Sequence, residues 1–222
     1  MHRFLRDNGL SLVIAGLFAF TLLGQVETGL HRYNEERAEH HQPALALTAY
    51  LTTGHFLEAT AENWESEFLQ MAAYVVLTAL LYQRGSAESR QIEASEAVDR
   101  QPRAGTRKRN VPWPVRRGGW ILKLYENSLV LAFLLLFLIS IVLHAIGGMR
   151  AFNEEQAAQG GATVSLLQYV QGAQFWFESL QNWQSEFLSL LAMVVLSIFL
   201  RQRGSPESKP VDAPHSDAIR MR

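Results

Sequence analysis

Apolar residues gather into four stretches along the chain, Leu10 to Leu23, Phe68 to Tyr82, Leu129 to Ile146 and Phe187 to Leu200, with polar segments between them. A helix that crosses a hydrocarbon core of ~30 Å needs about 20 mostly apolar residues. Leu129 to Met149 meets that length outright, with His144 as its only titratable residue. Leu10 to Leu30 meets it with Gln25 and Glu27 near the outer surface, and the two later stretches meet it by reaching back to Trp64 and Trp183. The pattern predicts an all-α membrane protein with four transmembrane helices, at about 10–30, 64–83, 128–149 and 183–202.

The pattern is also written twice. With Leu5 set on Leu124, the chain aligns to itself without a gap as far as Ser89 on Ser208, and roughly a third of the aligned residues are identical, several times the chance rate. Each copy holds two apolar stretches, so the repeat unit is a transmembrane hairpin. Residues 1–91 form the first repeat, 92–117 a basic linker, 118–208 the second repeat and 209–222 a disordered tail. An apolar run behind Arg3 and Arg6 also has the form of a cleaved leader, but its match at Leu129 lies mid-chain, so a retained helix is expected.

Charge then orients the hairpins. Gln83 to Lys123 holds ten Lys or Arg against four acids, whereas Glu27 to Glu67 holds eight Glu against two Arg. By the positive-inside rule both termini and the linker are cytoplasmic (N-in/C-in) and the acidic loops face outward. A two-span unit returns the chain to its starting side, so the repeats are parallel and related by a two-fold axis along the membrane normal. The linker is rich in Pro, Gly and Arg, reads as flexible, and suits anionic lipid headgroups better than nucleic acid. The overall composition, 222 residues with 48% apolar and 18% charged, would by itself pass for an ordinary soluble protein.

Local signals mark the helix ends. Asn8 and Asn127 stand before spans one and three as candidate N-caps, and Gly85 and Gly204 follow spans two and four inside a repeated Gln-Arg-Gly-Ser-x-Glu-Ser. Each outer segment opens on Asn-Glu-Glu, at Asn34 and Asn153, and leads to a short amphipathic piece carrying Tyr50 or Tyr169.

The most specific motif is Asn-Trp-(Glu/Gln)-Ser-Glu-Phe-Leu, at Asn63 to Leu69 and Asn182 to Leu188. Trp64 and Trp183 suit the membrane interface, but anchoring does not require a carboxylate one turn deeper, at Glu67 and Glu186. Converging under the two-fold, these carboxylates would form an outward-facing cation or proton site with Ser66, Ser185, Asn63 and Asn182, and with His144 as a proton acceptor. The plainer reading leaves both in water or among headgroups. The histidines His31, His40, His41 and His55 match no metal-ligand spacing, so no metal site and no cofactor are expected. The chain has no Gly-rich phosphate loop, Gly-x-Ser-x-Gly or His-Glu-x-x-His, so it reads as non-enzymatic.

The run from Gly54 to Met71, together with Arg6 to Ser11 and the repeated Gln-Arg-Gly-Ser, resembles a family of small bacterial membrane proteins described only as a domain of unknown function. The resemblance covers most of 4–208 and implies a bacterial inner-membrane location, with no activity to carry over. The leading expectation is a scaffold or partner-binding bundle whose partner is a second copy or another membrane protein; the alternative is a small cation- or proton-linked transporter or channel with the Glu67 and Glu186 pair at its mouth. The topology is checked directly: a reporter fused after Gly85 is expected to read cytoplasmic, and one inserted at His40 is not.

Overall fold

The computed structural model describes residues 2–90, 97–102 and 111–215. Arg103, Arg107, Lys108 and Arg109 of the basic linker, and the tail beyond 215, lie outside the described residues. The described residues are helical with no strand: α1 (His2–Asp7), α2 (Gly9–Glu39), α3 (Leu47–Tyr50), α4 (Gly54–Leu80), a 3-10 turn (Ala97–Asp99), α5 (Trp113–Arg117), α6 (Gly119–Glu126), α7 (Ser128–Ala158), α8 (Leu166–Gln171) and α9 (Ala173–Phe199). Three of these, α2, α7 and α9, are long and apolar enough to cross a membrane, and nearly all of their most apolar windows lie open on the surface. The fourth expected span, α4, matches α9 at 27 residues. Glu58, Glu62, Glu65 and Glu67 crowd its first half, and it is not among the three.

The described residues divide into two compact units, Met1–Ala61 with Val142–Phe175, and Glu62–Ile141 with Trp176–Arg222. In the first unit, matched positions of the sequence are built alike. Asn34 donates to the Leu45 carbonyl at 3.1 Å and accepts from the Leu45 amide at 2.7 Å; Asn153 does the same with Val164 at 2.9 and 2.7 Å. Each Asn thereby closes a bend by satisfying both backbone groups of one non-helical residue, which has no helical partner for them. The short helix that follows carries a buried tyrosine, Tyr50 or Tyr169, whose hydroxyl lies over a glycine of the long helix, Gly29 or Gly148; a Cβ there would strike the phenol. Aromatic neighbours complete both sites, with Tyr50 against Tyr33 and Phe56 at 5.7 and 5.5 Å and Tyr169 against Phe152 and Phe175 at 6.1 and 5.9 Å. At a third contact α4 and α7 meet backbone to backbone. A Cβ on Gly54 would stand 2.5 Å from the Ala151 nitrogen, and one on Gly147 would stand 2.5 Å from the Glu58 nitrogen.

The second unit holds the ends of α4 and α9, where the repeated motif also folds alike. The Gln83 amide donates to Ser89 Oγ at 2.7 Å and the Gln202 amide to Ser208 Oγ at 2.8 Å. Gly85 and Gly204 take φ of 85° and 84°, a left-handed conformation that glycine adopts without a Cβ clash. Arg90 then donates back to the Thr78 and Ala79 carbonyls, which the end of α4 leaves open.

Two expectations change in detail. Asn8 does not cap α2 with its side chain; it donates backward to the Phe4 carbonyl at 2.9 Å, and Asn127 likewise to Lys123 at 2.8 Å. Helices α1 and α6 precede these residues, so free carbonyls are nearer than free amides. Trp113–Arg117, at the end of the expected flexible linker, is helical and starts with Pro114 among its first residues, where a missing N–H costs nothing.

The Asn brackets are expected to contribute equally. Asn34→Ala and Asn153→Ala each remove two hydrogen bonds and should each lower stability by ~1–2 kcal/mol. In a thermal melt of the detergent-solubilised chain that corresponds to a drop of roughly 2–8 °C of similar size for both.

Candidate functional site

Helix α4 positions the site by its own period. Glu62 and Glu65 are three residues apart and share a face, whereas Glu67, two residues past Glu65, points to the other side. Glu65 accordingly has 0% of its surface exposed, and Ser66 and Gln70 are buried beside it, while Asn63, Trp64 and Glu67 are exposed. A buried carboxylate needs donors, and α9 supplies them from its own copy of the motif. Trp183 Nε1 donates to Glu65 Oε1 at 2.9 Å, and Asn182 Nδ2 donates to Glu62 Oε1 at 2.7 Å. The Trp183 indole is held edge-on by Trp176 and Phe137, at centroid distances of 6.4 and 6.1 Å, which fixes the direction of its N–H. Deeper in the same pair of helices, Gln70 Nε2 donates to the Glu186 carbonyl and to Ser189 Oγ, both at 2.7 Å.

The residues singled out by sequence thus part company in the structure. Asn182 and Trp183 enter the buried site as donors. Ser66 and Ser185 donate to the carbonyls three residues back, Asn63 and Asn182, both at 2.8 Å, and serve their own helices. Glu186 is half-buried and within reach of the Glu67 charge. Glu67 itself, with Asn63 and Trp64, stands on the exposed face.

Glu62, Glu65 and Gln70 were missed because identity between the matched segments guided the choice. Their counterparts are Gln181, Gln184 and Ser189, so the buried acids sit where the segments differ. The signal that was available is the recurrence of Glu58, Glu62 and Glu65 at i, i+4 and i+7, on one face of the first half of α4.

The first unit contains a second polar cluster. His144 is fully buried, its ring 4.9 Å from that of Phe175. A ring nitrogen of His144 lies within 4.8 Å of a Glu58 carboxylate oxygen, and the Tyr169 hydroxyl donates to Glu58 Oε1 at 3.4 Å. Carboxylate, imidazole and phenol together can accept, hold and pass a proton, and the Glu58 oxygen and His144 nitrogen are one hard and one borderline donor for a cation. Nearer the bend that Asn34 closes, His55 Nδ1 lies 3.3 Å from the Tyr50 hydroxyl, and burial holds the imidazole below its usual pKa, so it is the neutral form that meets the phenol.

No curated protein and no solved structure matches the chain. Residues 1–220 match the family described as Domain of unknown function (DUF6766), and the chain belongs to that family.

Proposed function

We propose that the chain is a four-span membrane protein of two tandem parallel hairpins, and that it binds and relays protons, or a small monovalent cation, through carboxylates buried in its spans. The observation that carries this reading is Glu65, without exposed surface in the body of a long helix and hydrogen-bonded by an indole held in place by two aromatic rings. An ionisable side chain that enters a span and is enclosed there is paired and marks an ion or proton pathway.

The same bonds support α4 as the fourth span. Hydropathy counts its glutamates as though lipid met them, yet Glu65 is enclosed and Glu62 is bonded by Asn182. The matched helix lengths, 31 residues for α2 and α7 and 27 for α4 and α9, support the tandem arrangement, as do the paired Asn brackets. On this reading the role is non-enzymatic, the membrane is the bacterial inner membrane with both termini cytoplasmic, and the basic linker contacts anionic headgroups.

A scaffold role has one observation in its favour, the apolar faces that α2, α7 and α9 leave open, which partner helices could cover as well as lipid. Crosslinking in native membranes separates the two, since a scaffold yields a specific protein partner or a homodimer that is lost on mutating Trp64 and Trp183.

In liposomes carrying the purified chain, an imposed pH or cation gradient should drive a flux. Glu65→Gln is expected to lower it by roughly tenfold or more, because the relay loses its charge-carrying group. Trp183→Phe keeps the ring but removes the donor and should lower it less, while the Glu67→Gln, Glu186→Gln double variant should stay within about twofold of the parent, as Glu67 lies on the exposed face. No flux from the parent chain, or a flux indifferent to Glu65→Gln, would sink the proposal.

A further inference from the structure

Two short helices, α5 and α6, lead into α7 and take no part in the buried site. They meet at Gly118 and Gly119, whose φ of 70° and 62° set a corner that glycine makes without a Cβ clash. The Gly118 amide donates to the Pro114 carbonyl at 3.0 Å and closes the end of α5. The two helices carry a common spacing of ring and cation. Trp113 is followed at three and four residues by Arg116 and Arg117, and Trp120 at three by Lys123. Residues three or four apart share a helix face, so each indole has a cation beside it one turn on. No acid occurs from 111 to 125.

Burial divides α6 lengthwise. Leu122 is buried, whereas Trp120 and Leu124, on the opposite face, are 74% and 52% exposed, and Trp113 of α5 is 59% exposed. All three cations are exposed as well. What this face meets follows from length. From Gly119 to Ala158 the chain is helical but for Asn127, and at 1.5 Å per residue a straight run would reach roughly 60 Å, about twice the hydrocarbon thickness. Helix α7 is long and apolar enough to fill that thickness alone. Standing upright, α6 would hold Trp120 in water, with Trp113 further out. Lying along the membrane boundary, it puts both indoles in the headgroup layer that tryptophan favours, with the cations beside lipid phosphates. Asn127, at φ −110° and ψ 8°, leaves helical geometry where that bend is needed.

We propose that the α5–α6 elbow lies flat in the headgroup layer of an anionic phospholipid leaflet, with Trp113, Trp120 and Leu124 sunk to the acyl boundary and Arg116, Arg117 and Lys123 on lipid phosphates. This deepens the headgroup contact assigned above to the basic linker: docking belongs to a folded element, and that element fixes the depth at which α7 enters the bilayer. The placement rests on α7 being a span and is independent of any ion relay at Glu65.

The test uses the full chain in nanodiscs of phosphatidylcholine, with or without phosphatidylglycerol, carrying one nitroxide at Leu124→Cys or, with Trp120 kept as an anchor, at Trp113→Cys. The absence of native cysteines leaves each as the sole label. With phosphatidylglycerol present, both labels should be open to oxygen, shielded from a water-soluble nickel chelate, and equal in depth. Omitting phosphatidylglycerol, raising the salt, or combining Arg116→Gln, Arg117→Gln and Lys123→Gln should each restore nickel access at position 113. The three cations are exposed, so their loss leaves the fold in place. Glu65→Gln, which abolishes the relay, should leave both depths unchanged. A label at position 113 that stays in water beside phosphatidylglycerol means an upright α6 and overturns the proposal. Shielding that is as strong in phosphatidylcholine alone, or that survives the triple Gln variant, means cover by protein or neutral lipid and overturns it too.

Discussion

A carboxylate enclosed between helices has to find donors, and the second unit is organised around that requirement. Glu65 is enclosed, so its oxygens cannot turn to water, and the Trp183 N–H must be where it is. That bond, with the one from Asn182 to Glu62, sets the rotation and the register of α9 against α4 over this stretch. The rest follows from the register. Gln70 comes opposite the Glu186 carbonyl and Ser189, and Phe137 and Trp176 close over the indole that makes the central bond.

One motif therefore does two different jobs. In α9 Asn-Trp supplies donors to acids on another helix, while in α4 the same Asn-Trp stands on the exposed face and the acid between Trp64 and Ser66 is the acceptor. The substitution that separates the two is Glu65 against Gln184. A helix with an acid at that position needs a donor from outside, and a helix with an amide there can present its neighbours as donors instead. Divergence at Glu65 and at the matched positions of Glu62 and Gln70 thus converts two like helices into complementary partners.

The shared features are of another kind. The Asn brackets, the tyrosines over Gly29 and Gly148, and the glycine turns after α4 and α9 each satisfy backbone groups or fill space within one of the two matched segments. Such requirements recur wherever the chain makes the same bend, since free amides and carbonyls must be paired locally. Identity between the matched segments therefore reports how each bend is built, and the buried acids appear among the differences.

Sequence by itself determined the helical class, three of the four apolar helices it predicted, the short helices with their tyrosines, and the turns at Gly85 and Gly204, because periodicity, helix length and turn chemistry are set by near neighbours along the chain. It also marked Asn182, Trp183 and His144 as chemically unusual for their surroundings. Which carboxylate would be enclosed was not legible in the same way. Glu65 and Glu67 are two residues apart with the same chemistry, and one is buried while the other is exposed. That choice depends on which face of α4 meets α9, a relation between residues more than a hundred positions apart in the chain, and only the tertiary structure decides it.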